Sequence, residues 1–213
     1  MRILSHCFLI ATLAASFAAG QTPAPPQQGR GGGGGGRGPG PAQAMTLSTT
    51  AWPDGGQIPA RYSQAGAEIS PFIQWSAPPA GTQSFVLIFH DADTVMNGTA
   101  DDNLHWLVWN IPGTAVSLQQ GVPDGFEVEG GIRQISISGS RYRGPGAPAA
   151  GPLHHYILEL YALDTKLDNI KVDAQAPQQP NPSAAAVRQQ VMQAMLGHIR
   201  GKAAYVGLFH RPQ

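Results

Sequence analysis

Cysteine is nearly absent from this 213-residue chain, with Cys7 the single example. An intrachain disulfide framework is therefore excluded, as is a site built on several thiolates. Charge is sparse as well. Asp, Glu, Lys and Arg make up 12% of the residues and balance to a formal net charge of zero. There is no basic stripe, which argues against nucleic acid or anionic membrane surfaces as general partners. No apolar run reaches the roughly 20 residues that a membrane-spanning helix needs. The chain also lacks a Gly-x-Ser-x-Gly elbow, a His-Glu-x-x-His pair and a Walker loop, so the commonest hydrolase, zinc-protease and nucleotide-binding signatures are missing. No internal repeat is evident.

Glycine and proline are abundant instead, and they divide the chain. Met1 to Gly20 reads as a secretory signal peptide. Arg2 lies near its start, an apolar run extends from Cys7 to Ala19, and the small residues Ala18 and Gly20 offer a cleavage point. Its removal near Gly20, or after Ala18, would take away the only cysteine and shift the net charge to −1. The expected location is secreted or periplasmic. Residues 21–44 are low in complexity, with Pro23, Pro25, Pro26 and a glycine run from Gly31 to Gly36. They lack the apolar groups that offset ordering entropy and read as a disordered tether. Arg30 and Arg37 are too few to make an RNA-binding patch. One folded domain is left, residues 45–213.

Within it, Gly/Pro/Asn/Asp turns punctuate short apolar runs. Ser84 to His90, Leu104 to Ile111, Arg133 to Ser138, His155 to Leu163 and Ala203 to Phe209 read as strands. One helix follows Pro182, with Ser183 as its cap. Val187, Val191, Met195, His198 and Ile199 recur at helical spacing, and Gly197 and Gly201 mark its end. A helical turn over Lys166 to Val172 is a weaker expectation. The fold class is mainly β, an antiparallel β-sandwich with a late peripheral α-helix.

Polar residues at two strand ends need explaining. A loop from Gly144 through Pro145, Gly146, Ala147 and Pro148 to Pro152 runs into His154-His155-Tyr156. The segment His90-Asp91-Ala92-Asp93 and the pair His105-Trp106 have a similar layout. Backbone N–H groups of the Gly/Pro loop, beside imidazoles, could seat an anion. Period-two geometry puts His154 and Tyr156 on one face and His155 on the other. It places Asp91 with Asp93, if the strand continues, and His105 with Leu107 and Trp109. Three chemistries fit the set: anion binding by His and Tyr donors with Asp fixing a tautomer, zinc ligation, or general acid–base catalysis. Structural readings compete. His105 could be a satisfied core histidine, and Asp91 and Asp93 could cap a turn. His90 reads as structural, His155 as a surface residue and His198 as packing at the domain edge. Trp52, Trp75 and Trp109 read as core. Asn97-Gly98-Thr99 matches a glycosylation sequon.

From Thr46 to Arg211 the chain resembles the phosphatidylethanolamine-binding protein family, in its bacterial Raf-kinase-inhibitor-like branch. The resemblance rests on the order and spacing of several segments: Asp54 to Tyr62, Ile69-Ser70-Pro71 with Trp75, Asp91 to Val95, His105-Trp106 leading to Asn110-Ile111-Pro112, Tyr142 to Tyr156, Leu160 to Asp164, and Met195 to Ile199. It implies a β-sandwich with a small anion-accepting pocket at one end. By position, that pocket would use Asp91, His105, His154 and Tyr156, with Gly146 and Ala147 as its loop wall. Asp93, Gly144 and Pro145 would support it. In the family such pockets take phosphate-bearing head groups, phosphorylated peptides or small carboxylates. Several members inhibit kinases or proteases, and enzymatic activity is not a general trait.

The chain departs from the family pattern at Ala92 and Val95, where prolines are usual, at Ala147, where a proline is usual, and at Glu68, where an Asn is usual. The Thr94 to Asn103 loop is expected to be mobile in consequence. Asp101 and Asp102 are expected to add negative charge beside His105, favouring a cation or metal. The function expected is that of an exported, non-catalytic binding protein without a cofactor. Its partners would be a small anionic or phosphorylated ligand and, in an inhibitor-like role, a protein. Related bacterial proteins suggest a homodimer. The alternatives are a metal-dependent hydrolase using His105, His154 and Asp91, and an interaction module with a vestigial pocket.

Overall fold

The computed structural model describes residues 42–96, 98, 100–172 and 183–213. The expected signal peptide, nearly all of the expected tether, Asn97, Thr99, Pro182 and the Ser183 side chain lie outside them. The described strands are β1 Gln43–Ala44, β2 Leu47–Thr49, β3 Gly56–Gln57, β4 Ile73–Trp75, β5 Ser84–Asp91, β6 Asn103–Pro112, β7 Ser117–Leu118, β8 Glu127–Val128, β9 Ile132–Ile135, β10 His154–Leu163 and β11 Ile199–Phe209. The helix is α1, Ser183–Ala194. The larger sheet has the order β1-β11-β10-β5-β6-β9-β8, with β3 also beside β11. β1 and β3 run parallel to β11, and its other pairs are antiparallel. The smaller sheet is β2-β4-β7. The pairing of β1 with β11 begins two residues before Met45, where the folded part was expected to start.

Alternation along the central strands builds two layers. Phe85, Leu87 and Phe89 of β5, with Leu158, Leu160 and Ala162 of β10, pack toward Leu47, Ile73, Trp75 and Leu118 of the small sheet. Val86, Ile88 and Leu163 face the other way, onto Ala184, Val187 and Val191 of α1. The result is a β-sandwich with one helix on the outer face of its larger sheet. Trp52 and Trp75 lie in the first layer and Trp109 in the second, as expected.

Two elements end differently from the sequence reading. The helix stops at Ala194, and Ile199 opens β11. Gly197 sits at φ +81°, where L residues are strained, and turns the chain before the helical spacing can continue. His198 Nδ1 then meets Asp164 at 2.8 Å, and Ile199 pairs with Leu163. The Lys166 to Val172 stretch is a turn rather than a helix. Asn110, in the left-handed region at φ 57°, anchors it by accepting from the Leu167 N–H at 2.8 Å.

The outer layer also holds the acidic residue expected near the site. Asp102 does not approach His105; it pairs with Arg188 of α1 and with His90 Nδ1. Glu159 lies 3.6 Å from His90 Nε2 and is itself held by Lys202. Burial opposes charge on His90, but the hydrogen bond to Asp102 and the nearby Glu159 carboxylate outweigh it and raise its pKa above the ordinary 6.5. A raised histidine stabilises the fold fully below the unfolded pKa, and that contribution is lost as pH climbs through the folded one. The urea midpoint is therefore expected to fall as pH rises above 6.5. In His90→Gln this part of the slope should vanish, and an unchanged slope would refute the assignment.

Candidate functional site

Three adjacent strands deliver the polar side chains. Tyr156 of β10 and Asp91 of β5 are direct cross-strand partners, so both project from the inner face of the sheet. His154 lies two residues before Tyr156 and shares that face. His155, on the opposite side, is exposed. His105 reaches the same face by an irregularity. Phe89 pairs with Trp106 while His90 pairs with Leu104, so β6 carries one extra residue, His105. This bulge overturns the expected grouping of His105 with Leu107 and Trp109, which belong to the helix-side layer. The His105 ring instead meets Tyr156 edge-on at 5.0 Å and Phe89 at 5.8 Å.

Each group has defined partners. His154 Nδ1 contacts both oxygens of Asp91, at 2.9 and 3.1 Å. A carboxylate only accepts, so Nδ1 carries a proton and Nε2 is the atom left for a ligand. His105 Nδ1 donates to the carbonyls of Arg143 and Gly144, both at 3.0 Å. Burial lowers the His105 pKa to about 4, so the ring is neutral at pH 7. Its Nε2 is a buried lone pair with no hydrogen-bond partner among the described residues. The Tyr156 hydroxyl oxygen accepts from the N–H groups of Gly146, at 3.2 Å, and Ala147, at 3.1 Å. Burial, together with the neighbouring Asp91 carboxylate, raises its pKa.

This last arrangement corrects the sequence reading. The amides of the Gly/Pro loop were expected to seat an anion, but two of them are already taken by the phenol. A buried hydroxyl oxygen needs donors, and the loop supplies them. Asp93 differs too. β5 ends at Asp91, and the chain turns there with Asp93 N–H donating to Asp91 Oδ1 at 3.1 Å. The Asp93 carboxylate accepts from the backbone and ring of His155. It thus ties the turn to β10 on the outside of the cavity.

Asp91, His105, His154, Tyr156, Gly146 and Ala147 line one cavity of about 230 Å³. Gly144 and Pro145 stand behind the wall. Gly144 O also accepts from Gln64 Nε2 at 2.8 Å, Gly144 N–H donates to Glu68 at 3.1 Å, and Pro145 O accepts from Gln64 N–H at 3.0 Å. Gln64, Arg143 and Arg211 also line the cavity, and sequence reasoning passed over all three. Arg143 carried a faint signal, as a cation beside the loop in a charge-poor chain. Arg211 carried none; the Arg211 N–H bonds to Ala147 O at 3.0 Å, a contact that only the tertiary fold creates. Asp101 and Asp102 line a different groove. Among the described residues no three His, Cys, Asp or Glu side chains are grouped to hold a metal ion, so the metal-hydrolase alternative finds no support in this geometry.

A sequence profile described as Phosphatidylethanolamine-binding protein matches residues 48–210. The chain belongs to the phosphatidylethanolamine-binding protein family. It is 36% identical over 169 residues to a UPF0098 protein of Methanothermobacter thermautotrophicus, covering 78% of this chain and 99% of that one. A Mycobacterium tuberculosis chain named as a lipoprotein, LppC, is 32% identical over 168 residues, covering 78% of this chain and 72% of its own length. A crystal structure of a homolog from Chlamydia trachomatis matches with TM-score 0.59 at 26% identity, covering 79% of this chain and 98% of that one. The departure from this family's pattern at Glu68 has a visible setting. Glu68 sits at φ 54°, a conformation that Asn tolerates better. Its longer carboxylate reaches Gly144 N–H and so holds the cavity wall.

Proposed function

We propose that this member of the family is an exported binding protein whose cavity takes a small anionic or phosphorylated group. The observation that carries the reading is His154, fixed through Nδ1 by the buried Asp91 carboxylate and opening through Nε2 on the cavity. With both ring nitrogens protonated, Nε2–H donates to an anion while Asp91 balances the charge. His105 Nε2 supplies an acceptor for the P–OH of a hydrogenphosphate or for a head-group N–H or O–H. The cavity, about 230 Å³, falls below the roughly 300–1,000 Å³ of drug-sized sites, which suits a head group rather than a whole lipid.

Two of the cavity's groups are poorly matched to acid–base catalysis. General acid–base catalysis works best with groups that titrate near the working pH. His105 at about 4 and Tyr156, raised above its usual range, are far from it. Export rests on the leader-like first 20 residues and the relative named as a lipoprotein. Among the described residues no helix is long and apolar enough to cross a membrane. Calorimetric titration with phosphate, phosphoethanolamine and acetate is expected to show binding. His154→Ala should weaken it at least ten-fold, about 1.4 kcal/mol. Absence of binding by all three, or equal binding by the variant, would overturn the reading.

A further inference from the structure

Two cations at the cavity have no salt-bridge partner among the described residues. Arg143, half-buried, donates through Nη2 to Gln64 Oε1 at 3.1 Å and through Nη1 to Ser138. Arg211 donates to the same Gln64 oxygen at 3.3 Å. Neither guanidinium has a carboxylate within 4.0 Å among the described residues, whereas Arg133, Arg188 and Arg200 all do. The carboxylate that acts on Arg143, Glu68, is committed to Gly144 N–H and to Arg141. Arg143 Nε is buried and has no hydrogen-bond partner among the described residues.

Like charges converging on one neutral oxygen repel, and burial of a guanidinium edge without a partner is costly. An anion that bridges the two forks relieves the repulsion, because guanidinium geometry matches a carboxylate bidentately. The cavity beside them already offers His154 and His105 to a first group. We propose that Arg143 and Arg211, aligned by Gln64, form a second anion point at the cavity, so that the preferred ligand is a small phosphorylated compound that also carries a carboxylate. This assignment rests on the anion-binding reading of the cavity and adds selectivity to it.

The test compares phosphoserine with phosphoethanolamine, which differ only by a carboxylate, in calorimetric titrations at one fixed low salt concentration. The wild-type chain is expected to prefer phosphoserine at least ten-fold. In Arg143→Gln/Arg211→Gln the ratio should fall to about one. Gln64→Ala, which keeps every charge but removes the shared tether, should lower the ratio several-fold. Arg133→Gln removes a cation that is held by Glu127 outside the cavity lining and should leave the ratio unchanged. Equal binding of both probes by the wild type would overturn the second anion point while leaving the anion-binding reading intact. So would a preference that survives in the double variant, or an equal loss in Arg133→Gln. Failure of the wild type to bind either probe would overturn both proposals.

Discussion

Replacing Tyr156 with phenylalanine is expected to destabilise the protein by about 2–3 kcal/mol, although only one oxygen is removed. That oxygen accepts from two backbone N–H groups, of Gly146 and Ala147. A buried donor left without an acceptor costs about 1–3 kcal/mol. The adjoining cavity can let water reach the two amides, which keeps the expected value toward the low end of their combined cost. The same change has a second consequence. The freed N–H groups face a cavity proposed to take anions, so added phosphate should raise the unfolding midpoint of the variant more than that of the wild type. Urea denaturation with and without phosphate checks both parts. A variant as stable as the wild type would show that the phenol does not satisfy the loop.

Gly144→Ala is expected to cost about 3 kcal/mol and to weaken phosphate binding. An added Cβ would lie 2.5 Å from Tyr62 O, 2.7 Å from Ser63 Cα and 2.8 Å from Ser63 C. All three neighbours are backbone, so no side chain can swing away, and overpacking of this kind costs about 1–3 kcal/mol or more. The wall can relieve the clash only by moving. Movement breaks the bonds of Gly144 to His105, Gln64 and Glu68 together. Gly151→Ala is the control, since its Cβ would meet nothing closer than Pro148 O at 3.7 Å. It should lie within about 1 kcal/mol of the wild type. Similar losses in the two variants, or none in either, would refute the role given to the close approach at Gly144.

The strands that carry the site were legible in the sequence because each is a dense apolar run bounded by turn residues. Period two alone separated His154 and Tyr156 from His155, and His90 from Asp91. That rule failed at His105, because a bulge adds one residue without the Gly or Pro that would have marked it. It failed again at Asp93, where the strand had already ended. The helix was read too long because His198 and Ile199 kept the right spacing past a glycine that turned the chain. The arginines were missed for a different reason. Their position depends on Gln64, more than seventy residues from Arg143 in the chain, and no local pattern announces such a meeting.

The bulge at His105 is one of two in β6. The second falls where Phe85 pairs with Ile111 and Leu87 with Val108. Between them lies the short segment that holds Trp106, whose indole N–H donates to Gln134 at 2.7 Å. A regular strand can slide along its neighbour in steps and still find hydrogen bonds at each stop. β6 cannot, because any shift would have to displace both irregularities at once and withdraw Trp106 from its acceptor. The residue that departs from the alternation to reach the cavity thus also acts as a stop against slippage, and it locks the sheet into the single alignment in which the site exists.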